Sequence, residues 1–368
     1  NERFEATGAQ FGHGAGREMA SVELRSLTES AYLERAVETL GLVLQKPDFP
    51  AEALERERKL MLTALRQREQ EPAAIAEDRF MGILYRDHPY GSPPQGSAQT
   101  LGALKRDDLL AHYRRYYCGR NAVIALVGDV TRAQAASIAE KLVAALPEGA
   151  SGPPLPPAPT IEKPVEIHVP YPSSQTHVWV GRAGLARLDP DYFPLYLGNH
   201  ALGGGGFISR LYKEVREKRG LSYSAYSYFQ PMRVAGPFIA GLQTSFEQAD
   251  QALSVLRETL AKFVAEGPSA SEREASVKNI TGGIPLRIDS NGKVIDYLVL
   301  IGFYGLPLDF LDTYTDRIRA VTLPDIGAAF KRRMDPAGLV TVTVGPEGKP
   351  PPGAPAPPLE PTPAGRLH

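Results

Sequence analysis

The sequence predicts an α+β protein built of two homologous α/β domains, the first lacking its N-terminal start. Two observations carry this. Strand-like and helix-like apolar periodicities follow one another along the chain, and three stretches of the first half recur in the second at one spacing. ASVELRSLT (20–28), followed by a helical pattern centred on Ala36 and Leu40, matches GPFIAGLQTS (236–245), followed by one centred on Ala252 and Leu256, at an offset of 216. LERERKL (54–60) matches SEREASV (271–277), and DLLAHYRRYYCGRNAVIALVG (108–128) matches DIGAAFKRRMDPAGLVTVTVG (325–345), both at an offset of 217. Near-constant offsets of this kind mark a tandem duplication. The second half starts near residue 164, so the equivalent start of the first would lie roughly fifty residues ahead of Asn1.

The expected domains are therefore residues 1–148 and 162–345, joined by a linker over 149–161 and followed by a Pro-rich tail over 346–368. Five prolines fall within residues 149–160, which makes the linker extended and semi-rigid. A chain of 368 residues also exceeds one ordinary core.

Within the first half, residues 20–28 alternate as a strand with Val22 and Leu24 on one face. Residues 29–45 keep helical spacing through Tyr32, Leu33, Ala36, Leu40 and Val43. KPDFP (46–50) ends that helix, and Pro50 opens a long charged one reaching Gln70. Shorter helices are expected over 73–85 and 106–116, on either side of the turn-rich HPYGSPPQGS. Asn121 to Gly128 is wholly apolar from Ala122 to Val127 and reads as a strand buried on both faces. A helix over 131–146 closes the half. In the second half, strands over 164–170 and 175–182 precede a helix over 189–202.

Composition narrows the function classes. With 41 basic and 42 acidic residues the formal charge is −1, which gives no footprint for nucleic acid or an anionic membrane. The single cysteine, Cys118, excludes an internal disulfide and any cysteine-based metal site, without fixing the compartment. No apolar run approaches the roughly 20 residues that span a bilayer. The chain opens on Asn1 with no signal-like stretch, so a start removed, or a sequence beginning partway along a longer chain, is expected.

The stretch with most chemistry runs from Asn199 to Phe229. Four glycines, Gly203, Gly204, Gly205 and Gly206, feed a short amphipathic helix whose stripe is Ile208, Leu211, Tyr212 and Val215. Gly220 follows Lys218 and Arg219 and stops the helix, with cations at the negative end of the dipole. The next strand would place Leu221, Tyr223, Ala225 and Ser227 on one face, and Ser222, Ser224, Tyr226 and Tyr228 on the other. Arg216 sits at the edge of the buried stripe, seven residues before Tyr223. On composition alone, an arginine there is a solvated dipole cap and a strand tyrosine is core. A glycine run before a helix can cradle phosphate, but no Lys-Ser/Thr follows it here. Arg210, Lys213, Lys218 and Arg219 are interleaved with Glu214 and Glu217, the pattern of a solvated face. His200 and His13 lack a partner at ligand spacing and read as structural. Phe193, Phe229, Tyr226 and Tyr228 read as packing or as an apolar wall.

The stretch LGGGGFISRLYKEVREKRGLSY resembles the insulinase/pitrilysin zinc peptidases, the inverzincins. LERERKLML, DHPYG, HYRRYY and NAVIALVGD in the first half match the same family, so the resemblance covers nearly all of residues 1–345. It implies two α/β units, each a mostly antiparallel sheet with helices packed on one side, facing each other across a chamber. Family peptidases carry an inverted His-x-x-Glu-His helix and a downstream Glu that together hold zinc, the motif Glu activating the bound water. The histidines here are His13, His88, His112, His168, His177, His200 and His368, and no two are four apart. Glu55, Arg56 and Glu57 match the start of the downstream pattern, but the third-ligand position holds Ala64, whose methyl cannot bind a metal.

The resemblance further implies that Arg216 and Tyr223 bind a peptide backbone and donate to the carbonyl oxygen that gains charge during hydrolysis. It makes the four glycines a hinge lining the chamber. The chain is then expected to be a zinc-free, non-catalytic subunit, inactive alone and most similar to bacterial heterodimeric members. A zinc-bearing homologous partner would supply the metal, and unfolded peptide would be the substrate. Two alternatives stay open: a structural or binding scaffold of the same fold, and a complete zinc peptidase whose metal motif lies outside this sequence. The resemblance to bacterial envelope members implies the periplasm, with the cytoplasm as the alternative.

Overall fold

A computed structural model describes residues 2–144 and 146–347; the expected Pro-rich tail lies outside the described residues from 348 onward. In chain order the first half contains α1 (Glu2–Glu5), β1 (Gln10–Ala15), β2 (Ala20–Arg25), α2 (Ser30–Gln45), α3 (Ala51–Arg68), α4 (Pro72–Tyr85), α5 (Ala98–Ala103), α6 (Arg106–Tyr116) and α7 (Arg132–Val143). The second contains β3 (Val165–Pro170), β4 (Gln175–Leu185), α8 (Tyr192–Asn199), α9 (Arg210–Tyr212), β5 (Ala225–Phe229) and β6 (Gly236–Ser245). It continues through α10 (Ala249–Glu266), α11 (Ala270–Gly282), α12 (Ile284–Arg287), α13 (Asn291–Tyr304), α14 (Phe310–Ala320), α15 (Leu323–Arg333) and β7 (Val340–Gly345). Segments matched by the repeat fold alike: β2 and α2 correspond to β6 and α10, α3 to α11, and α6 to α15.

One compact unit comprises Gln67–Ser92, Leu155–Ile284 and the chain from Asp309 onward. Its sheet runs β3-β7-β4-β6-β5. Only the β3–β7 pair is parallel; the other pairs are antiparallel. Alternation splits the sheet residues between two faces. Trp179, Ile239, Val340, Val342 and Val344 pack against Phe80, Met81, Leu84 and Tyr85 of α4. Burying a side chain such as Phe80 or Leu84 stabilises by about 1.5–3 kcal/mol. Gly181 makes room for this helix, since a Cβ there would come within 2.9 Å of Phe80 Cζ. On the opposite face Phe238 meets Phe229 at 4.7 Å between centroids, Phe229 meets Phe330 of α15 at 6.0 Å, and Phe330 meets Phe263 of α10 at 4.8 Å. The sheet is mostly antiparallel with helices packed on it, and α4 covers the face opposite α10 and α15.

The other unit comprises residues 1–66, 93–154 and 285–308. The β1–β2 hairpin is antiparallel. Ala36, Val37 and Leu40 of α2 share a core with Leu142 of α7 and Phe4. Gln45 Nε2 donates to the Lys141 carbonyl at 3.0 Å, and the Tyr113 hydroxyl to the Leu44 carbonyl at 2.7 Å. The Tyr304 hydroxyl of α13 donates to Glu18 at 2.6 Å.

The packing units cut across the boundary drawn at 148. Helix α4 lies in the first half of the chain but packs in the β3–β7 unit, and α13 lies in the second half but packs with the hairpin unit. Their starts, Pro72 and Asn291, are 219 residues apart, close to the repeat offset. Helix α4 thus enters the core of the β3–β7 unit, while α13 groups with the hairpin unit.

The strand expected over 121–128 does not form. The segment is extended but unpaired, with Val123 49% and Ile124 36% exposed. Its repeat equivalent, β7, is held between β3 and β4. Among the described residues no strand flanks 122–127, and a strand without a ladder has nowhere to place its amide hydrogen bonds.

Candidate functional site

The stretch from Asn199 to Phe229 folds as a series of tight turns between α8 and β5. After α8 the chain makes a π-helical turn over His200–Gly204 and a 3₁₀ turn over Gly206–Ile208. Helix α9 then passes into a second π-helical turn over Lys213–Glu217. π geometry is rare and concentrates at functional sites; here it recurs in the segments carrying the glycines and Arg216.

Buried polar pairs fix the first turn. Asn199 Nδ2 donates to the Ser227 carbonyl at 2.9 Å, and Ser227 Oγ donates back to Asn199 Oδ1 at 2.6 Å, joining α8 to β5. His200 Nδ1 lies 3.0 Å from Ser276 Oγ, and Nε2 lies 3.1 Å from Asn279 Oδ1, both on α11. With the amide oriented as assigned, its oxygen only accepts, so Nε2 carries the proton and Nδ1 receives the Ser276 hydroxyl. His200 thus has the structural role read from the sequence.

The four glycines are required for different reasons. A Cβ on Gly203 would stand 2.3 Å from Ser227 Oγ, one on Gly204 2.8 Å from Asn199 Nδ2, and one on Gly205 2.6 Å from the His200 carbonyl oxygen. Gly206 faces open space but has a φ of +59°, which glycine adopts without strain. The run is packed chain rather than slack chain. Ser209, fully buried, holds its end: its amide and hydroxyl donate to the Gly206 carbonyl at 3.0 and 2.7 Å.

The helix stripe is shorter than expected. Leu211 and Val215 are fully buried, but Ile208 precedes the Ser209 cap and is exposed, and Tyr212 is half-buried. Arg210 departs from the solvated reading. It pairs with Glu272 of α11 through two 2.7 Å contacts, donates to the Gly267 carbonyl at 2.8 Å and lies 4.9 Å over the Phe263 ring. Burial alone would raise the Glu272 carboxyl, but the Arg210 guanidinium and the Ser269 amide hold it below the usual carboxylate range. Lys218 and Arg219 do form a solvated face, both paired with Glu214 at 2.6 and 2.8 Å.

Tyr223 lies ahead of the strand, in a turn. The Ser222 hydroxyl accepts the Ser224 amide at 3.2 Å and lies 2.6 Å from the Gln243 carbonyl, so β5 begins only at Ala225. Such serine turns compete with strand pairing. From Ala225 onward the alternation holds. Ala225 and Ser227 are buried, while Tyr226 and Tyr228 stack at 6.0 Å on the other face. Burial, with the Glu77 carboxylate nearby, pushes the Tyr226 phenol up to about 12. Burial also holds the His177 imidazole below its usual value. Phe193 packs against Tyr314 and Phe229 against Phe238, as packing residues.

The structure brings the predicted pair together. The Arg216 guanidinium carbon lies 4.3 Å over the Tyr223 ring and 5.0 Å over the Tyr212 ring, and Nη1 donates to the Tyr212 hydroxyl. Among the described residues no carboxylate pairs with Arg216 and nothing hydrogen-bonds the Tyr223 hydroxyl. Tyr223 is 55% exposed and Phe207 71%, the latter edge-on to Tyr212 at 5.0 Å. From the sequence Tyr212 was read as part of the buried stripe rather than of the site, and Phe207 was not singled out. Tyr212 fits a core stripe, and Phe207 follows glycines whose turn geometry cannot be read from composition. Chemically the cluster offers a fixed guanidinium and a phenol with donors to spare, which suits a carbonyl or carboxylate oxygen.

A profile of the peptidase M16 inactive domain matches residues 103–280. A crystal structure of a peptidase M16 inactive domain from Pseudomonas fluorescens superposes with a TM-score of 0.91 at 36% identity, over 94% of this chain and 83% of that one. The chain belongs to the insulinase/pitrilysin family, M16. Among M16 relatives, an uncharacterized zinc protease of Streptomyces coelicolor is 30% identical over 78% of this chain, which spans 63% of that protein's length. A non-peptidase homolog of Helicobacter pylori is 25% identical over 82% of this chain and 69% of its own length. The residues of this M16 chain do not fit a zinc ion: Ala64 presents a methyl on an exposed face of α3, and no His, Cys, Asp or Glu cluster among the described residues could hold a metal. No described helix is long and apolar enough to cross a membrane.

Proposed function

We propose that this chain is a zinc-free M16 subunit that binds extended peptide through Arg216 and Tyr223, and that a homologous zinc-bearing subunit completes the peptidase. The observation that carries the reading is the carboxylate-free Arg216 stacked on the exposed Tyr223. Donors held in place before the reaction stabilise a developing oxyanion without reorganisation, an effect worth about 3–4 kcal/mol per donor. The inactive-domain profile and the non-peptidase relative support the absence of chemistry in this chain. The glycine run as a hinge lining the chamber belongs to the same proposal, with Gly206, the one of the four where an added Cβ would meet no atom, as the point of bending. So does a periplasmic setting, which fractionation of the native host tests.

The test is to assay the isolated chain, and then the chain with its partner, on a quenched unfolded peptide. Cleavage is expected only in the pair. Robust zinc-dependent cleavage by the isolated chain would overturn the proposal. The scaffold reading shares the fold but needs neither Arg216 nor Tyr223, and it predicts a pair whose turnover ignores both.

A further inference from the structure

One cavity of the β3–β7 unit has a cationic wall with no acid in it. It measures about 190 Å³ and lies between the end of the linker and the sheet. Arg182 of β4 lines it, with Arg332 and Arg333 from the last turn of α15, and the lining includes no Asp or Glu. The nearest counter-charges stand behind the wall. Asp191 accepts from Arg332 Nη2 at 2.5 Å and from Arg333 Nε at 3.0 Å, and Asp189 meets Arg333 Nη2 at 2.6 Å. These pairs fix both guanidiniums through Nε and Nη2 and leave Nη1 of each outside them.

Arg182 is the member that folding explains least. It is half-buried, and Nη1 donates to the Asp335 carbonyl at 2.5 Å, while its Nε is buried without a hydrogen-bond partner. Burial pushes its pKa below the usual arginine value, and the Asp335 carboxylate offsets this only in part. A guanidinium kept from water without a paired carboxylate is costly, and an anion in the cavity would relieve that cost.

We propose that this cavity binds a small phosphoryl anion, phosphate or diphosphate. One guanidinium fork satisfies a planar carboxylate; three guanidiniums around one space suit an anion with several oxygens and two or more charges. Room for one water takes only about 10–15 Å³, so this volume admits a tetrahedral group or two joined ones. Residues 158–161 form the linker side of the cavity, where the Thr160 hydroxyl is a further donor. The bound anion therefore ties the linker to β4 and α15. The site is separate from Arg216 and Tyr223 and does not depend on their reading.

The test is calorimetric titration of the full chain with inorganic phosphate, diphosphate and citrate at constant ionic strength, with hydrogen exchange read by mass spectrometry. Wild type is expected to bind diphosphate at one site, about ten-fold more tightly than phosphate or citrate, the scale of an added charge-assisted hydrogen bond. Diphosphate should slow exchange over residues 158–161 and 182–184. R182Q and R332Q should each weaken diphosphate by at least about ten-fold, and R257Q, an arginine outside this cavity, should leave it unchanged. The Arg332 side chain is 58% exposed, so R332Q decides the question if R182Q does not fold. Absence of saturable binding, or R332Q binding as wild type does, overturns the proposal. Equal loss in R257Q overturns it by showing a general charge effect, and exchange protection confined to other segments overturns it by placing the anion elsewhere. Citrate binding as tightly as diphosphate overturns the phosphoryl assignment.

Discussion

The Arg216 guanidinium carbon lies 4.3 Å over the ring of Tyr223, although one residue sits in a π-helical turn and the other in the serine turn before β5. The chain reverses between them at Gly220, with a φ of +62°. Stacking leaves the edge of the guanidinium and the phenol hydroxyl directed away from the contact, so both keep donors for a ligand.

Arg216→Ala is therefore expected to lower turnover of the reconstituted pair by about 10²–10³-fold, with a smaller loss for Tyr223→Phe. Neither change should prevent association. An exposed cation–π contact is worth only about 0.5–1 kcal/mol, so thermal melting of the free chain should barely move. Parallel kinetics and melting curves check this; unchanged turnover in both variants removes the site assignment.

The glycine run makes a separate prediction. Gly203→Ala places a methyl against Ser227 Oγ and the Ser227 amide nitrogen, at 2.3 and 2.5 Å, where neither side can give cheaply. A loss of about 1–3 kcal/mol is expected, the usual range for overpacking. Gly206→Ala meets no atom and should lose about 1–2 kcal/mol from its left-handed φ alone. Urea melts measure both.

The Arg210–Glu272 pair gives the site an acid limit. The Glu272 carboxyl is held below its usual value of about 4.3 in the folded protein. Its contribution is fully present above that unfolded-state value and is lost as pH falls through the lower folded value. Glu272→Gln should destabilise by about 1.5–3 kcal/mol at pH 7, and the gap from wild type should shrink below about pH 4.3. Melts from pH 7 to pH 3 test the sign.

Tyr226 sets the alkaline counterpart. Burial raises its phenol to about 12, so the neutral form is favoured on folding. That contribution is intact below the usual tyrosine value of about 10 and is lost as pH rises from there through the folded value. Phenolate absorbance of Tyr226→Phe should match wild type up to about pH 10 and fall short of it only at higher pH.

Much of this was legible in the residues themselves. Local periodicity gave α2, α3 and α6, because it acts over a few residues, whereas the Arg216–Tyr223 pair came from the resemblance to the family and not from the residues alone. The run from Ala122 to Val127 misled for the opposite reason: it is apolar enough for a buried strand, but a ladder needs neighbours that the run does not encode. The same limit hid the exposure of Phe207 and made Tyr212 look like core. Whether an aromatic residue is core or surface is decided by the turn before it, here set by Gly206 and the Ser209 hydroxyl.

The reciprocal placement of α4 and α13 bears on how the protein can be taken apart. Cutting within the Pro-rich linker would leave α4 on one fragment and the sheet it covers on the other. Phe80, Met81, Leu84 and Tyr85 would leave with the N-terminal piece and uncover Trp179, Val342 and Val344 in the C-terminal one. Such fragments should be insoluble when made separately and form a soluble complex when co-expressed, a complementation in which α4 acts as the recognition element.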